Sequence, residues 1–329
     1  MTTKEREAII KMGVITQKAR ISKLPAYNKT TQSASSTKSK KVKKYTFIDL
    51  FAGIGGFHFA FHNVGAKCVL ASEWNEHARK TYQTNFEKIS PDLFTSGNFI
   101  GDITKIDKTA MPDFDILTGG FPCQPFSQAG FKKGFSDTRG TLFYDIAEII
   151  EIKKPKAFFL ENVRGLLNHD NGKTFETIKK VLTEELGYSL HFNIVKASDH
   201  GLPQNRPRLF MIGFRDKEVN FSFPEKRALA YTMSDVFGAP VTRDIGFTLR
   251  VGGKGSKITD RRNWDSYMVD GKVKRITPKE GKKMQGFPDD FIFPVSNSEA
   301  MKQLGNSVAI CAIQDYAKKI IEALDKHYE

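Results

Sequence analysis

The sequence predicts an α/β protein with a mostly parallel sheet covered by helices on both faces, and a small extra domain late in the chain. Three observations carry that expectation. From residue 45 onward, short apolar runs alternate with helix-like stretches. The runs are mostly apolar rather than alternately polar, as strands buried on both faces are. Glycines or isolated acidic residues follow several of them, which is where such sheets bind ligands. The strands are expected at 45–51, 68–72, 114–117, 157–160 and 209–214. Helices are expected at 56–64, 75–86, 142–152 and 173–186.

Composition limits what such a chain can be. It has 329 residues, 40% hydrophobic and 12% aromatic, enough for a sizeable core and incompatible with a disordered chain or a fibre. No uninterrupted apolar stretch reaches the roughly 18 residues of a membrane span, and the first residues lack the apolar region of a signal peptide. These features point to a cytoplasmic protein. Cys68, Cys123 and Cys311 are too few and too scattered for a disulfide framework or a metal site. Lys and Arg total 51 against 37 Asp and Glu, a formal charge of +14, and residues 1–44 hold twelve of these cations and two acids. That segment reads as a basic flexible tail, either simply solvated or a non-specific nucleic-acid arm.

The strand ends carry the chemistry. The first is Asp49-Leu50-Phe51-Ala52-Gly53-Ile54-Gly55-Gly56, where glycines let the backbone approach a ligand and present amides at the start of a helix. His58 stands where a dinucleotide fingerprint needs its third glycine, and no Gly-Lys-Ser/Thr follows for a phosphate loop. Glu73 and Trp74, at the second strand end, offer a carboxylate for a ribose diol and an aromatic face; Asp102 suits an adenine amine. Carboxylates without a phosphate-binding cation fit an adenosine cofactor lacking phosphates, such as S-adenosylmethionine. Gly119-Gly120-Phe121-Pro122-Cys123-Gln124-Pro125-Phe126-Ser127 then places a thiol after a strand end. Most lone cysteines are small buried hydrophobes, but Pro122 fixes the backbone here and a polar, glycine-containing segment follows. Glu161, ending a fourth apolar run, is a candidate acid beside that thiol. Arg206 and Arg208 in Gln204-Asn205-Arg206-Pro207-Arg208 alternate, and can hold an anionic or carbonyl-bearing group.

Taken in order, these segments resemble the DNA (cytosine-5)-methyltransferases, particularly the compact bacterial type II restriction-modification kind. The matching stretches are FIDLFAGIGGF, SEWN, GDIT, GGFPCQPFS, DTRGTLFYD, ENV, QNRPR, RITPKEGKKMQGFPDDF and KQLGNSVA, running from Phe47 to Ala309. The resemblance implies a Rossmann-like, S-adenosylmethionine-dependent methyltransferase fold. It makes Cys123 the nucleophile at cytosine C6, Glu161 the contact to N3 and the exocyclic amine, and Arg208, with Arg206, the holder of the base. Phe51, Gly53, Ile54, Gly55, Gly56, Glu73, Trp74, Asp102, Ile103, Pro122 and Leu142 would line the cofactor pocket, completed by Asn306, Ser307 and Val308. Meeting the Phe51 turn requires the last helix, at 309–324, to pack beside the first strand and helix. No metal is implied.

The resemblance also sets the domain plan. It expects a catalytic domain at 45–230, a target-recognition domain at 231–275, a hinge at 276–300 and a return to the catalytic domain at 301–329. From Arg243 to Arg275 there are nine basic and four acidic residues, a cationic module suited to a groove. Thr248, Leu249, Arg250, Gly252, Gly253 and Lys254 are its expected DNA contacts, with Ser127 and Arg206 from the catalytic side. Ala129 occupies a loop position where some relatives carry a polar residue able to enter the emptied duplex position. The expected partner is double-stranded DNA, met by a monomer in a prokaryotic cytoplasm, with a cognate restriction endonuclease acting separately. Two rival readings remain, a tRNA cytosine-5 methyltransferase and a non-catalytic DNA-binding protein. The lack of a Cys-Phe-Thr stretch, replaced by Gly246-Phe247-Thr248, weighs against the first. The joint presence of Cys123, Glu161 and a full pocket weighs against the second.

Overall fold

The computed structural model describes residues 44–122, 142–253 and 255–329. Cys123, Ser127, Ala129, Lys254 and the basic tail up to residue 43 lie outside the described residues. Strand β1 (Thr46–Leu50) pairs in parallel with β2 (Lys67–Ser72) on one side and β4 (Ile116–Gly120) on the other. Beyond them, β3 (Phe99–Ile100) joins β2 and β5 (Ala157–Val163) joins β4, again in parallel. Then the direction reverses: β7 (Pro207–Phe214) is antiparallel to β5, and β6 (His191–Lys196) is antiparallel to β7. The order across the sheet is β3-β2-β1-β4-β5-β7-β6.

All five expected strands are present, with β4 shifted. It runs on through Gly119 and Gly120 because a glycine admits the Leu50 carbonyl, which would sit 3.2 Å from an added Cβ at Gly119. Strands β3 and β6 were not anticipated, the first because it has two residues and the second because an edge strand of His191-Phe192-Asn193 texture lacks an apolar run.

The helices cover both faces. On one, α1 (Gly56–Asn63), α2 (Glu76–Phe86) and α9 (Ile310–Tyr328) bury Phe57, Tyr82, Phe86 and Ile313 against Phe47, Phe159 and Phe210. On the other, α4 (Leu142–Lys153) and α5 (Lys173–Lys180) bury Phe143, Ile146 and Ile178 against Ile48, Leu50, Phe158 and Leu160. Neighbouring residues of β1 and β5 thus face opposite cores, the period of two expected of a strand. Truncating Phe158 or Phe159, both fully buried, is expected to cost about 3–5 kcal/mol. Helix α3 (Pro91–Thr95) is a short connection, and the expected 173–186 helix widens into a π-type turn at Val181–Glu185.

The late segment contains α6 (Met233–Phe237) and an antiparallel hairpin of β8 (Ser266–Val269) and β9 (Lys272–Arg275). Asp270 and Gly271 join its strands, both at positive φ (50° and 71°), the conformation a two-residue Asp-Gly turn requires. Met233, Trp264, Tyr267 and Val269 belong to the same continuous core as Phe47 and Ile313 rather than forming a core of their own. Residues 276–300, expected as a hinge, include the capped helix α7 (Pro278–Gln285) and the buried Phe287 and Phe291, so this stretch is a packed connection. Helix α8 (Asn297–Asn306) leads into α9, which packs on α1 as expected. At the opposite end of the sheet from the strand carboxyl ends, Lys44 bridges Asp325 (2.8 Å) and Glu329 (2.6 Å). Among the described residues no helix is long and apolar enough to cross a membrane.

Candidate active site

The turn after β1 is built by its own backbone. Phe51 (φ 55°), Gly53 (φ 56°) and Gly55 (φ 84°) all take left-handed conformations, so the chain folds back before α1. Gly55 has a second reason to lack a side chain: its Cβ would come within 2.1 Å of the Phe86 ring. Ile54 is buried beneath the turn, while Phe51 and Gly53 remain half-buried at its rim. Gly56 is where the late chain returns. A Cβ there would lie 2.5 Å from Val308 and 3.4 Å from the Ser307 hydroxyl. The structure therefore joins Gly56 with Ser307 and Val308, and Asn306 stands exposed beside them.

Glu73 locks this turn to the second strand end. Its carboxylate accepts from Gly53 N (2.8 Å) and Asn75 N (2.8 Å), and at 7% exposure burial raises its pKa. These two bonds leave acceptor capacity on both oxygens. Asn75 in turn caps α2 by accepting from Ala78 N (2.9 Å). Trp74 projects at 79% exposure, an aromatic face with nothing laid against it among the described residues. Arg79 donates to the carbonyls of Glu73, Phe99 and Ile100 and stacks over the Phe99 ring. Its charge is thus committed to backbone, so the pocket offers carboxylate and aromatic surface rather than a phosphate cradle. Those features fit an adenosine group without phosphates. Asp102 caps the turn Ile103–Lys105 by accepting from the Thr104 hydroxyl (2.8 Å) and Thr104 N (3.0 Å), which lowers its pKa, and its other oxygen lies 3.6 Å from Lys105. Ile103 is buried, and half-buried Leu142 opens α4 next to Phe143, whose ring lies 5.8 Å from that of Phe121.

The ends of β4, β5 and β7 form the second half. Glu161 is 8% exposed and accepts from Arg208 Nε at 2.9 Å. Burial raises its pKa, with the charges of Arg208 and Arg206 working against that rise. The reversal of β7 makes this pair possible. Glu161 lies opposite Phe210 in the register, which places Arg208 two residues away on the same face. A parallel β7 would start at the far end of the sheet. Gly120 faces Glu161 in the β4–β5 register, and a Cβ there would lie 3.3 Å from a Glu161 carboxyl oxygen. Asn162 is buried and donates to the Phe121 carbonyl (2.9 Å), tying the residue before exposed Pro122 to the strand that carries Glu161.

Arg206 and Leu249, expected at the base or at DNA, are both buried in this structure. Arg206 is 2% exposed and donates to the carbonyls of Leu249 (3.1 Å), Gly305 (2.9 Å) and Ser307 (2.5 Å), which engages both terminal nitrogens with backbone. Burial and the adjacent Arg208 charge press its pKa down to about 9, leaving it ionised at neutral pH. Leu249 is a core residue, engaged through its backbone. Thr248 is half-buried and donates to the Asn205 carbonyl, while Arg250, Gly252 and Gly253 are exposed. Asn162, Gln204, Gln285 and Gly120 had no assigned role; the available signal was a polar residue within an apolar stretch, or a second glycine at a strand end.

Glycines and a buried acid at the strand carboxyl ends, next to the switch point of a mixed α/β sheet, define the class of α/β proteins that bind ligands there. The profile of the C-5 cytosine-specific DNA methylases matches residues 45–248 and 240–322. The type II methyltransferase M.HpaII of Haemophilus parainfluenzae is 43% identical over 87% of this chain and 92% of that protein. M.SsoII of Shigella sonnei is 44% identical over 86% and 81%. A mutant of Spodoptera frugiperda DNMT2 shares the fold at a TM-score of 0.63 and 18% identity, covering 85% of this chain and 99% of that one. The chain belongs to the C-5 cytosine-specific DNA methylase family.

Proposed function

We propose that this protein transfers a methyl group from S-adenosylmethionine to C5 of a cytosine flipped out of double-stranded DNA, through a covalent bond from Cys123 to C6. It is a type II DNA (cytosine-5)-methyltransferase of a restriction-modification system. A cognate endonuclease acting separately fits that setting, and one pocket per chain is enough for a monomer to work. The observation that carries the mechanism is Glu161, a buried carboxyl with a raised pKa, held by Arg208 at the strand end beside the Phe121–Pro122 arm.

Bound at the glycine turn, the cofactor supplies a methyl group on a sulfonium, a strong electrophile. Gly53, Gly55 and Gly56 would pass its backbone-facing side, Glu73 its ribose, Trp74 and Asp102 its adenine, and Ser307 and Val308 its far wall. Cytosine C5 is a poor nucleophile and must be activated. As the Cys123 thiolate adds to C6, the C5–C6 electron pair is drawn toward N3, where Glu161 delivers a proton and Arg208 fixes the carboxyl. C5 gains enamine character and can be alkylated. Loss of the C5 proton to a base, departure of the Cys123 thiolate and return of the N3 proton to the Glu161 carboxylate then restore the neutral ring. A stacked base cannot be reached this way, so the target must leave the duplex. Residues 231–275, with exposed Arg250, Gly252 and Gly253 and the cationic β9, are the part we assign to target recognition.

The test is transfer of labelled methyl from S-adenosylmethionine to unmethylated duplex DNA and, separately, to tRNA, with wild type and Cys123→Ser side by side. DNA labelling that disappears in the variant is expected. Labelling of tRNA alone, or labelling that survives Cys123→Ser, would overturn the mechanism.

A further inference from the structure

A buried polar hub lies between the recognition segment and the returning chain. Gln204 is fully buried; its Oε1 accepts from Leu249 N (3.1 Å), and its Nε2 donates to the Met284 carbonyl (3.0 Å) and Gln285 Oε1 (3.3 Å). Gln285, also fully buried, donates to the carbonyls of Leu304 (2.8 Å) and Ser307 (3.3 Å). Arg206 closes the circuit, binding the Leu249 carbonyl together with those of Gly305 and Ser307. These last carbonyls belong to the C-terminal end of α8 and the residues after it, the pole at which a cation is favoured. The two backbones also touch: a Cβ on Gly305 would fall 2.6 Å from the carbonyl carbon of Arg250. Exposed Arg250 and the wall at Ser307–Val308 are therefore joined by three buried side chains and one glycine contact.

We propose that Gln204, Arg206 and Gln285 are positioning residues that couple DNA engagement to the cofactor pocket. Displacing Leu249–Arg250 shifts the Arg206 and Gln204 side chains bonded to Leu249, and with them the donors that hold the Gly305, Leu304 and Ser307 carbonyls, so whichever ligand binds first sets the hub for the other. The inference rests on the proposed roles of 306–308 as cofactor wall and of the exposed 250–253 segment as DNA-facing. Coupling of this kind is reciprocal, so S-adenosylhomocysteine and DNA must tighten each other by one common factor.

The test measures S-adenosylhomocysteine affinity by calorimetry on the full chain, with and without a duplex fragment that the wild type methylates. A wild-type tightening of about tenfold, ordinary for coupled sites, is expected to fall to about onefold in Gln285→Met. Arg206→Lys keeps the buried cation and a donor at shorter reach, so it should fold even if Gln285→Met does not, while it cannot span all three carbonyls. It is expected to lose at least half of the wild-type coupling on a logarithmic scale. A purely structural role would weaken each affinity separately and leave their ratio unchanged, and that outcome overturns the proposal. Failure of the underlying function is separate, because the wild type would then methylate no duplex at all.

Discussion

The turn after β1 and the hub before β7 are both places where distant chain segments converge, yet they are held by opposite means. The turn is shaped by absent side chains: three left-handed residues, a glycine under Phe86, and a carboxylate that gathers two backbone amides. The hub is shaped by present ones, three long polar side chains that satisfy backbone groups no sheet or helix reaches. A glycine turn tolerates little added volume but has few partners to lose. A buried polar network tolerates changes of volume better than loss of a donor, because each stranded carbonyl carries a desolvation penalty.

Substitutions can break or sharpen this contrast. The largest effect is expected at the chemistry between the two regions: Glu161→Gln should lower kcat about 10²–10⁴-fold while DNA binding persists, measured by steady-state methylation and a binding isotherm. Next, Arg206→Met should cost about 3–5 kcal/mol in chemical denaturation, since it leaves three buried carbonyls short of a donor. Gly55→Ala should cost about 2–4 kcal/mol through ring displacement and positive φ. If its loss exceeded that of Arg206→Met, the contrast would be inverted. Smaller still, Trp74→Ala should leave melting unchanged within about 0.5 kcal/mol but weaken cofactor binding by roughly tenfold, as loss of an aromatic stack does.

The smallest effect is a pH dependence, supplied with the same sign by an acid beneath the turn and by the acid between the two regions. Asp49, beneath the turn, is fully buried with Oδ2 unpartnered among the described residues, and burial raises its pKa well above the ordinary 3.8. Burial likewise raises Glu161 above 4.5. A raised folded-state pKa means the native protein keeps protons the unfolded chain releases. That contribution is complete below the ordinary values and is lost as pH rises through the raised ones. Asp49→Asn, which cannot ionise, should therefore gain stability relative to wild type as the pH increases from about 4. Urea melts across that range check this; a constant difference would show that Asp49 is ionised in the fold.

The sequence exposes these two regions unequally. The parallel strands, the glycine turn and Glu73 are legible because each follows from residues adjacent in the chain. The reversed β7 is not, since direction depends on a path through an edge strand with no apolar signature. Arg206 shows the cost: its alternation with Arg208 is plain, but its burial depends on Gly305 and Ser307, about a hundred residues away. The Asp270-Gly271 turn was readable by the same local logic as the first glycine turn, and the glycine-rich texture of the region masked it.

The ion pair from Lys44 to Glu329 bears on the order of the motifs themselves. With residues 44 and 329 one side-chain pair apart, a short linker can close the described chain into a ring. Reopening that ring at the exposed turn around Lys217–Glu218, between β7 and the recognition segment, would leave every strand pairing and every hub bond uncut. What makes this pocket is a spatial arrangement around the strand ends, and the order in which the chain visits its parts is one solution among several that the same fold permits.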